Sequence, residues 1–543
     1  MWFSTLYKGF RVKNEDILSS ELEDISFGDK RIDKRSKTLL NSFYSGVNSG
    51  LTSSCGGKAE IKAAYRFFDN DSVDHSKILE SHYSKTLERI KKHKIICLSQ
   101  DTTDIDMKHM EIVENLGVLN DTKRPGCSLH PVIAFTPDKL CLGVVNAKFI
   151  IRPAEELGKK THNNLRNIED KESFRWIEGY KVACKIAEEC PETKCVSIGD
   201  RESDIYELLL EAKNPANKAD LIVRAWHDRK VNLPRSEEHQ KLIDENIKIE
   251  EENKSLSLVN KKAIRNKKIS SLSSEQREIF DRNKVSIEKN KILIKANKSI
   301  VFEDERIKNT FLHQLHQGSV VGIVEFKLHR RDGKKSRIVK QNMRAITIDL
   351  MPSMHKKNLP KLSINAVLLE EIDVPPGEEP ISWMFLTTLP IDSLENIQLI
   401  VKLYISRWGI EMFFKVLKSG CKIEELQFKE ASRLLSCISL YMIVAWRVLF
   451  TTFLGRESPD LPCSVLFETD EWESVYALHM KAIPPKDPPK LGEFMLMIAA
   501  LGGYQARKSQ GPPGMIVIWK GLQKAYGLSE GWAMHREYGR PTN

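Results

Sequence analysis

The chain has 543 residues, 41% of them hydrophobic, and its 84 Lys and Arg outnumber 74 Asp and Glu to leave a formal charge of +10. A chain of this length holds two to four domains with a sizeable core, and its composition is that of a soluble globular protein rather than a disordered or membrane-embedded one. The basic surplus fits a polyanionic partner without demanding one.

The ten cysteines are scattered, and Cys184, Cys190 and Cys195 lack the paired spacing of a zinc site, so reduced thiols in the cytoplasm are expected. The opening MWFSTLYKGFRVKNED has no long apolar core and does not read as a signal peptide. Residues 1 to about 90 read as helical and polar. Within them, FGDKRIDKRSK sets Lys30, Arg31, Lys34, Arg35 and Lys37 at helical spacing, which suits a phosphate-facing surface and equally a solvated helix face.

An alternating α/β series follows. HKIICLSQD (93 to 101) reads as a strand ending in a carboxylate, and residues 127 to 152 as two strands around the turn Thr136-Pro137-Asp138. KESFRWIEGYKVACKIAEEC is a helix closed by Pro191, KCVSIGD a strand ending in Asp200, SDIYELLLEAK a helix capped by Ser203, and ADLIVRAW a further strand. Three adjacent strands, a helix, a strand, a helix and a strand is the order of a ribonuclease-H-like core.

Residues 230 to 300 break the pattern with Lys, Glu and Asn and with apolar residues spaced for a long amphipathic or coiled helix. The basic NKKAIRNKKI follows the acidic DENIKIEEEN, so self-pairing along a helical hairpin and contact with DNA both fit. From 318 the chain reads as strands again, with Asp332-Gly333 expected to turn a hairpin. An apolar strand carrying Trp383 leads into SLENIQLIVKLYISRWGIEMFFKVLKSG, read as one long helix with Ser393 as N-cap and Gly420 as stop. LLSCISLYMIVAWRVLF (434 to 450) is short for a membrane span, holds Arg447 and two serines, and reads as a buried helix.

Asp101 and Asp200 each follow a short apolar strand, and Glu411 lies on the helix after the last one. In the ribonuclease-H-like order the first and fourth strands are neighbours, so their carboxylates come close and the helix can present Glu411 beside them. Three gathered carboxylates repel unless divalent cations compensate them, and oxygen-only ligands suit Mg²⁺ or Mn²⁺. Two such ions, about 3.5–4 Å apart, activate a water or a 3′-hydroxyl toward a phosphodiester. Each acid also has a bland role as a turn, cap or ion-pair residue, Glu411 with Arg407 or Lys415. Asp104 and Asp106 compete with Asp101, as Glu202 and Asp204 do with Asp200.

On a single helix, Tyr404, Arg407, Glu411 and Lys418 fall within about one sixth of the circumference. Leu403, Ile410, Phe413, Phe414 and Leu417 fill the adjoining sector. Arg407 offers a planar fork for phosphate, Lys418 a mobile point charge and Tyr404 a hydroxyl.

These four residues resemble the Y-x2-R-x3-E-x6-K signature of the bacterial cut-and-paste DDE transposases of the transposon-five type. The likeness extends to QDTTDI, GDRESDIYELL, IVRAW, SINAVLLEEI and PPGEEPISWMFLT, to FGDKRIDKR and AAYRFFDN near the start, and to LGGYQARKSQGPPG near the end. The resemblance implies Asp101, Asp200 and Glu411 as a metal-binding catalytic triad with two Mg²⁺ ions, for which Mn²⁺ substitutes. It implies Tyr404, Arg407 and Lys418 as contacts to the phosphate at an element end, Arg31 and Arg35 in an end-binding region, and Trp383 as the receiver of a flipped base, with packing as its alternative.

The implied architecture is a helical DNA-end-binding domain (1–90), a ribonuclease-H-like catalytic core in two parts (91–226 and 376–429), an insertion between them (227–375) and a helical dimerisation region (430–543). The 230–300 stretch is longer than that family's insertion. The implied partners are element-end and target DNA and a second copy of the chain, with neither a membrane nor an organic cofactor. The implied activity is nicking at terminal inverted repeats, release through a hairpin and joining of 3′-hydroxyls to target DNA. A DNA-binding regulator that has lost catalysis is the alternative.

Overall fold

The computed structural model describes residues 17–46, 51–55, 57–110, 113–119, 124–156, 166–233, 236–265, 269–328, 337–507 and 511–539. Two compact units divide the chain: Met1–Ala225 with Thr387–Asn543, and Trp226–Leu386.

The first unit starts with helices α1 (Lys30–Ser45), α2 (Lys58–Phe68) and α3 (His75–Ile90). Asp29 and Asp74 cap α1 and α3, each carboxylate accepting from a backbone N–H two residues on. Lys30, Arg31 and Lys34 of α1 are exposed and Arg35 and Lys37 half-buried; Arg31 is 91% exposed and its guanidinium pairs with Asp29 at 2.7 Å.

Strands β1 (Ile95–Gln100), β2 (Thr103–Asp106), β3 (Gly126–Phe135), β4 (Cys141–Ile150), β5 (Lys194–Gly199) and β6 (Asp220–Arg224) form a mixed sheet. β1 runs antiparallel to β3 and parallel to β5, β5 runs parallel to β6, and β2 and β4 both lie antiparallel to β3. The strand series expected from the sequence is present, with the four-residue β2 added directly after Asp101. β3 is buried along its whole length, and β1 and β5 are buried after their first residue because a parallel pair is covered on both faces. Helices α4 (Phe174–Glu189) and α5 (Tyr206–Ala212) make the two crossovers.

The second unit pairs two long helices, α6 (Glu237–Ala263) and α7 (Ser274–Lys308). Their seam carries asparagines seven residues apart on both helices. Asn297 donates to Asn246 at 3.1 Å, Asn290 to Asn253 at 3.0 Å and Asn283 to Asn260 at 3.0 Å. Rising number on one helix matches falling number on the other, so this is an antiparallel coiled hairpin. Ile249, Ile294 and Val301 are buried at the alternate seam positions. The helical hairpin expected for this stretch is present, but asparagines close it rather than the acidic and basic runs, because DENIKIEEEN and the start of NKKAIRNKKI lie on the same helix; Ser273 and Gln276 start the return helix with a reciprocal capping box.

Helix α8 (Phe311–Gln317) then leads to β7 (Val320–Leu328), β8 (Arg337–Leu350), β9 (Leu362–Ile372) and β10 (Ser382–Thr387), with β7–β8–β9 an antiparallel meander. The expected Asp332-Gly333 turn lies outside the described residues.

The chain re-enters the first unit and forms α9 (Leu394–Ser406), capped by Ser393, and α10 (Trp408–Lys415), followed by a π-helical turn, Val416–Gly420. The single helix expected here is therefore three pieces. The amides of Arg407 and Ile410 bond three residues back, a tight turn, whereas Cys421 N–H reaches Val416 O five residues back, a wide one. Gly409 permits the tight passage: a Cβ there would lie 2.4 Å from the Phe135 ring.

The unit closes with α11 (Ala431–Glu457), α12 (Thr469–Met480), α13 (Leu491–Leu501) and α14 (Met515–Tyr538). α11 is long and apolar enough to cross a membrane by composition, yet 94% of its most apolar window is buried inside the fold, as the sequence reading expected. Phe43 of α1 stacks on Tyr441 of α11 at 4.5 Å, and Tyr44 meets Trp519 of α14 edge-on at 6.0 Å, so the two ends of the chain share one core. All ten cysteines are buried and unpaired.

Candidate active site

Parallel pairing of β1 with β5 puts the C-terminal ends of both strands on one edge, and Asp101 and Asp200 are the next residues. Each carboxylate is steadied by the backbone that follows it: Asp101 Oδ1 accepts from Thr102 N–H and Asp200 Oδ1 from Glu202 N–H, both at 2.8 Å. Asp200 thereby caps the short 3₁₀ turn Arg201–Ser203.

The break between α9 and α10 brings Arg407 to the same edge. Its Nη1 donates to Asp101 Oδ2 at 2.9 Å and its Nη2 to Glu411 Oε1 at 2.7 Å. Arg407 and Asp101 are 12% and 19% exposed, while Glu411 is 41% exposed. Burial first of all, and then the nearby charge of Asp200, push the Asp101 carboxyl up to about 6 against the pull of Arg407. Burial works against the Arg407 charge, but Tyr404, Asp101, Glu411 and Asp200 outweigh it and raise its pKa. The Arg407 guanidinium also sits 5.9 Å from the centre of the Tyr404 ring. One guanidinium thus collects two of the three expected acids by hydrogen bond and senses the third.

Lys418 stands apart from this group. It lies on the π turn, where its Nζ donates to Asp104 O at 2.7 Å and pairs with Glu424 at 2.9 Å. The stripe projected for four residues on one regular helix therefore holds for Tyr404, Arg407 and Glu411 as a local cluster, and Lys418 is turned to β2 because the wide turn changes its angle. Trp383 belongs to the second unit, half-buried and stacked on Phe326 at 5.2 Å.

Three of the four competing acids have other work: Asp104 accepts from Ser128 Oγ at 2.6 Å, Asp106 pairs with Arg124 at 2.7 Å, and Glu202 pairs with Arg175 at 2.7 Å.

Among the described residues, no group of three or more His, Cys, Asp or Glu side chains is drawn together as a metal site. Arg407 now fills the role of counter-charge. The expected donor set nonetheless suits a hard cation, being carboxylate oxygen throughout, and the Asp200 charge, which adds to the effect of burial in raising the Asp101 carboxyl, is one that a divalent ion would offset.

Sequence reasoning missed a second basic side chain here. Arg224, the last residue of β6, is half-buried, and its pKa is lowered by burial first and by Arg201 and Arg407, while Tyr404 raises it. It also missed a polar network behind Asp101. Arg175 Nε donates to Thr102 Oγ1 at 2.9 Å, Thr102 Oγ1 lies 2.9 Å from His130 Nδ1, and the Gln100 amide packs against His130. Burial first, then Arg175, lowers His130 to about 3, so it is neutral.

Comparison with known proteins adds two segments. Residues 14–73 match the family model described as "Transposase DNA-binding", and residues 443–542 the one described as "Transposase Tn5 dimerisation domain". Each states what that part of the chain is similar to, and together they support a transposase of the Tn5 type. Among solved structures, the chain aligns with the piggyBac transposase in a synaptic complex with hairpin DNA at 9% identity and a TM-score of 0.29, over 90% of this chain and 62% of that one. So distant a likeness carries no structural argument, and the chain spans less than two thirds of that protein's length.

Proposed function

We propose that this chain is a DNA transposase that cuts at the terminal inverted repeats of an insertion element, through a hairpin, and joins the freed 3′-hydroxyls to target DNA. What supports the proposal is the joining of Asp101 and Glu411 through Arg407, with Asp200 at the end of the strand beside that of Asp101, in a chain whose two ends match transposase family models. The strand order of the first unit supports a ribonuclease-H-like core. Asp101, Asp200 and Glu411 would hold two Mg²⁺ or Mn²⁺ ions, which supply Lewis acidity to a phosphodiester and acidity to a bound water or hydroxyl.

The chain's own residues do the positioning. Arg407 releases at least one acid and turns its fork to a phosphate; Tyr404 and Arg224 lie beside it for the same anion. Lys418 reaches DNA only by exchanging Glu424 for phosphate. Arg31 and Arg35, on the outer face of α1, take the backbone of the element end, Trp383 receives a flipped base, and α11 to α14 pair two copies in the synaptic complex. The site of action is the bacterial cytoplasm.

A regulator that binds DNA without cutting it has one observation on its side, the occupation of Asp101 and Glu411 by Arg407. Incubation with Mn²⁺ and duplexes of the inverted repeats flanking the coding sequence separates the two readings. The parent should nick and transfer strands, and Glu411→Gln should bind equally and nick at least about a hundredfold more slowly. Binding by the parent with no nicking at all would select the regulator.

A further inference from the structure

We infer that Arg175, in the first turn of α4, is the residue that holds the two strand-end carboxylates in register. Thr102 N–H binds Asp101, and Thr102 Oγ1 accepts from Arg175 Nε at 2.9 Å. Glu202 N–H binds Asp200, and Glu202 Oε2 accepts from Arg175 Nη2 at 2.7 Å. The same side chain therefore grips, on one edge of its planar fork, the two residues whose amides orient the two acids.

Its remaining nitrogen, Nη1, donates to Glu172 O at 2.9 Å, which fixes the fork to the start of its own helix. The Arg175 side chain is 11% exposed and its bond to Thr102 is partly buried, whereas Glu202 is 62% exposed, so water competes little at Thr102 and more at Glu202. His130 closes the network from β3 at Thr102 Oγ1. A lysine could reach one loop but not span both, because its donors radiate from one point.

Repulsion between Asp101 and Asp200 works to spread the two loops, and no backbone bond joins Thr102 to Glu202 in the sheet, whose register between β1 and β5 ends at Ser99 with Ile198. The Arg175 guanidinium bridges that gap by two hydrogen bonds. It touches neither acid by hydrogen bond, so it acts on them as a positioning residue.

This inference rests on the reading of the acids as cation ligands, and the test separates the two. The probe is Mn²⁺ alone, titrated into the full chain and followed by electron paramagnetic resonance, with thermal unfolding and circular dichroism alongside. Arg175→Ala should weaken Mn²⁺ binding about tenfold to a hundredfold with helix content unchanged, Arg175→Lys should recover part of the loss, and Thr102→Val should lose about as much as Arg175→Ala and add little to it. Should Arg175→Ala fail to fold, Thr102→Val, which removes one hydroxyl, carries the same test. Parent-like Mn²⁺ binding in Arg175→Ala and Thr102→Val would overturn the inference while leaving the acids as ligands. A parent that binds Mn²⁺ no better than Asp101→Asn with Glu411→Gln would overturn both.

Discussion

Helices α6 and α11 are both 27 residues long, and they are held by opposite means. α11 is buried without interruption from Leu434 to Leu449. α6 buries His239, Asn246, Ile249 and Asn260, most of them polar. A helix inside a layered core is specified by the volume around it. A helix with a single partner has little volume to fill, and its specificity comes from which residues are allowed to face each other.

The largest expected effect tests the exception beneath α11. Glu21, 2% exposed, takes Arg89 Nη1 at 2.6 Å and lies 2.6 Å from His82 Nδ1, and the Arg89 guanidinium covers the Trp446 ring at 4.2 Å. Val144 N–H donates to His82 Nε2, so Nδ1 carries the proton given to Glu21. Glu21→Gln strands Arg89 and should cost about 3–5 kcal/mol in urea unfolding.

The same cluster sets a pH dependence. Burial raises Glu21, but Arg89 and His82 outweigh it and bring it to about 2, while burial lowers His82. Both groups are depressed in the folded state, so the unfolded chain takes up protons first. Their contribution is full above 6.5 and is lost as pH falls through 6.5 for His82 and through 4.5 toward 2 for Glu21. Glu21→Gln should remove the part below 4.5, seen as a flatter melting temperature against pH.

A smaller effect with a sign change tests the seam. Asn283→Leu alone leaves Asn260 without its side-chain partner and should cost about 1–3 kcal/mol. Asn260→Leu with Asn283→Leu replaces the whole polar layer and should gain about 1–2 kcal/mol, with self-association appearing in sedimentation as register loosens. If the double substitution is as destabilising as the single one, the asparagines are stabilising in themselves and the contrast with α11 fails. The smallest effect belongs to the surface of the hairpin: Lys298→Ala removes an exposed pair with Glu250 at 3.2 Å and should change stability by under about 1 kcal/mol.

Much of the first unit could be read from the sequence because strand and helix periods are local. Runs such as IICLS and CVSIG announce buried strands, and a parallel pair brings their last residues together, so Asp101 and Asp200 were legible as neighbours. Arg407 and Glu411 were legible as a pair four residues apart. The pinch at Arg407 and the wide turn at Lys418 were not; the pinch goes with the close approach of Gly409 to Phe135, a residue far away in the chain. Arg175 was hidden for the same reason: its partners stand 73 and 27 residues away. The asparagine seam, in contrast, stands in the sequence at sevenfold spacing in Asn246, Asn253, Asn260 and again in Asn283, Asn290, Asn297, among more numerous charges of both signs.

That seam constrains how the arm can change over evolutionary time. Because 246 faces 297, 253 faces 290 and 260 faces 283, an insertion in one helix misaligns every layer beyond it unless the other helix gains the same length at the mirrored place. The arm can therefore grow or shrink only in matched steps of one heptad per helix, fourteen residues at a time, each moving its tip by about 10 Å. Its reach is quantised, and relatives carrying such an arm should differ in length by multiples of that unit.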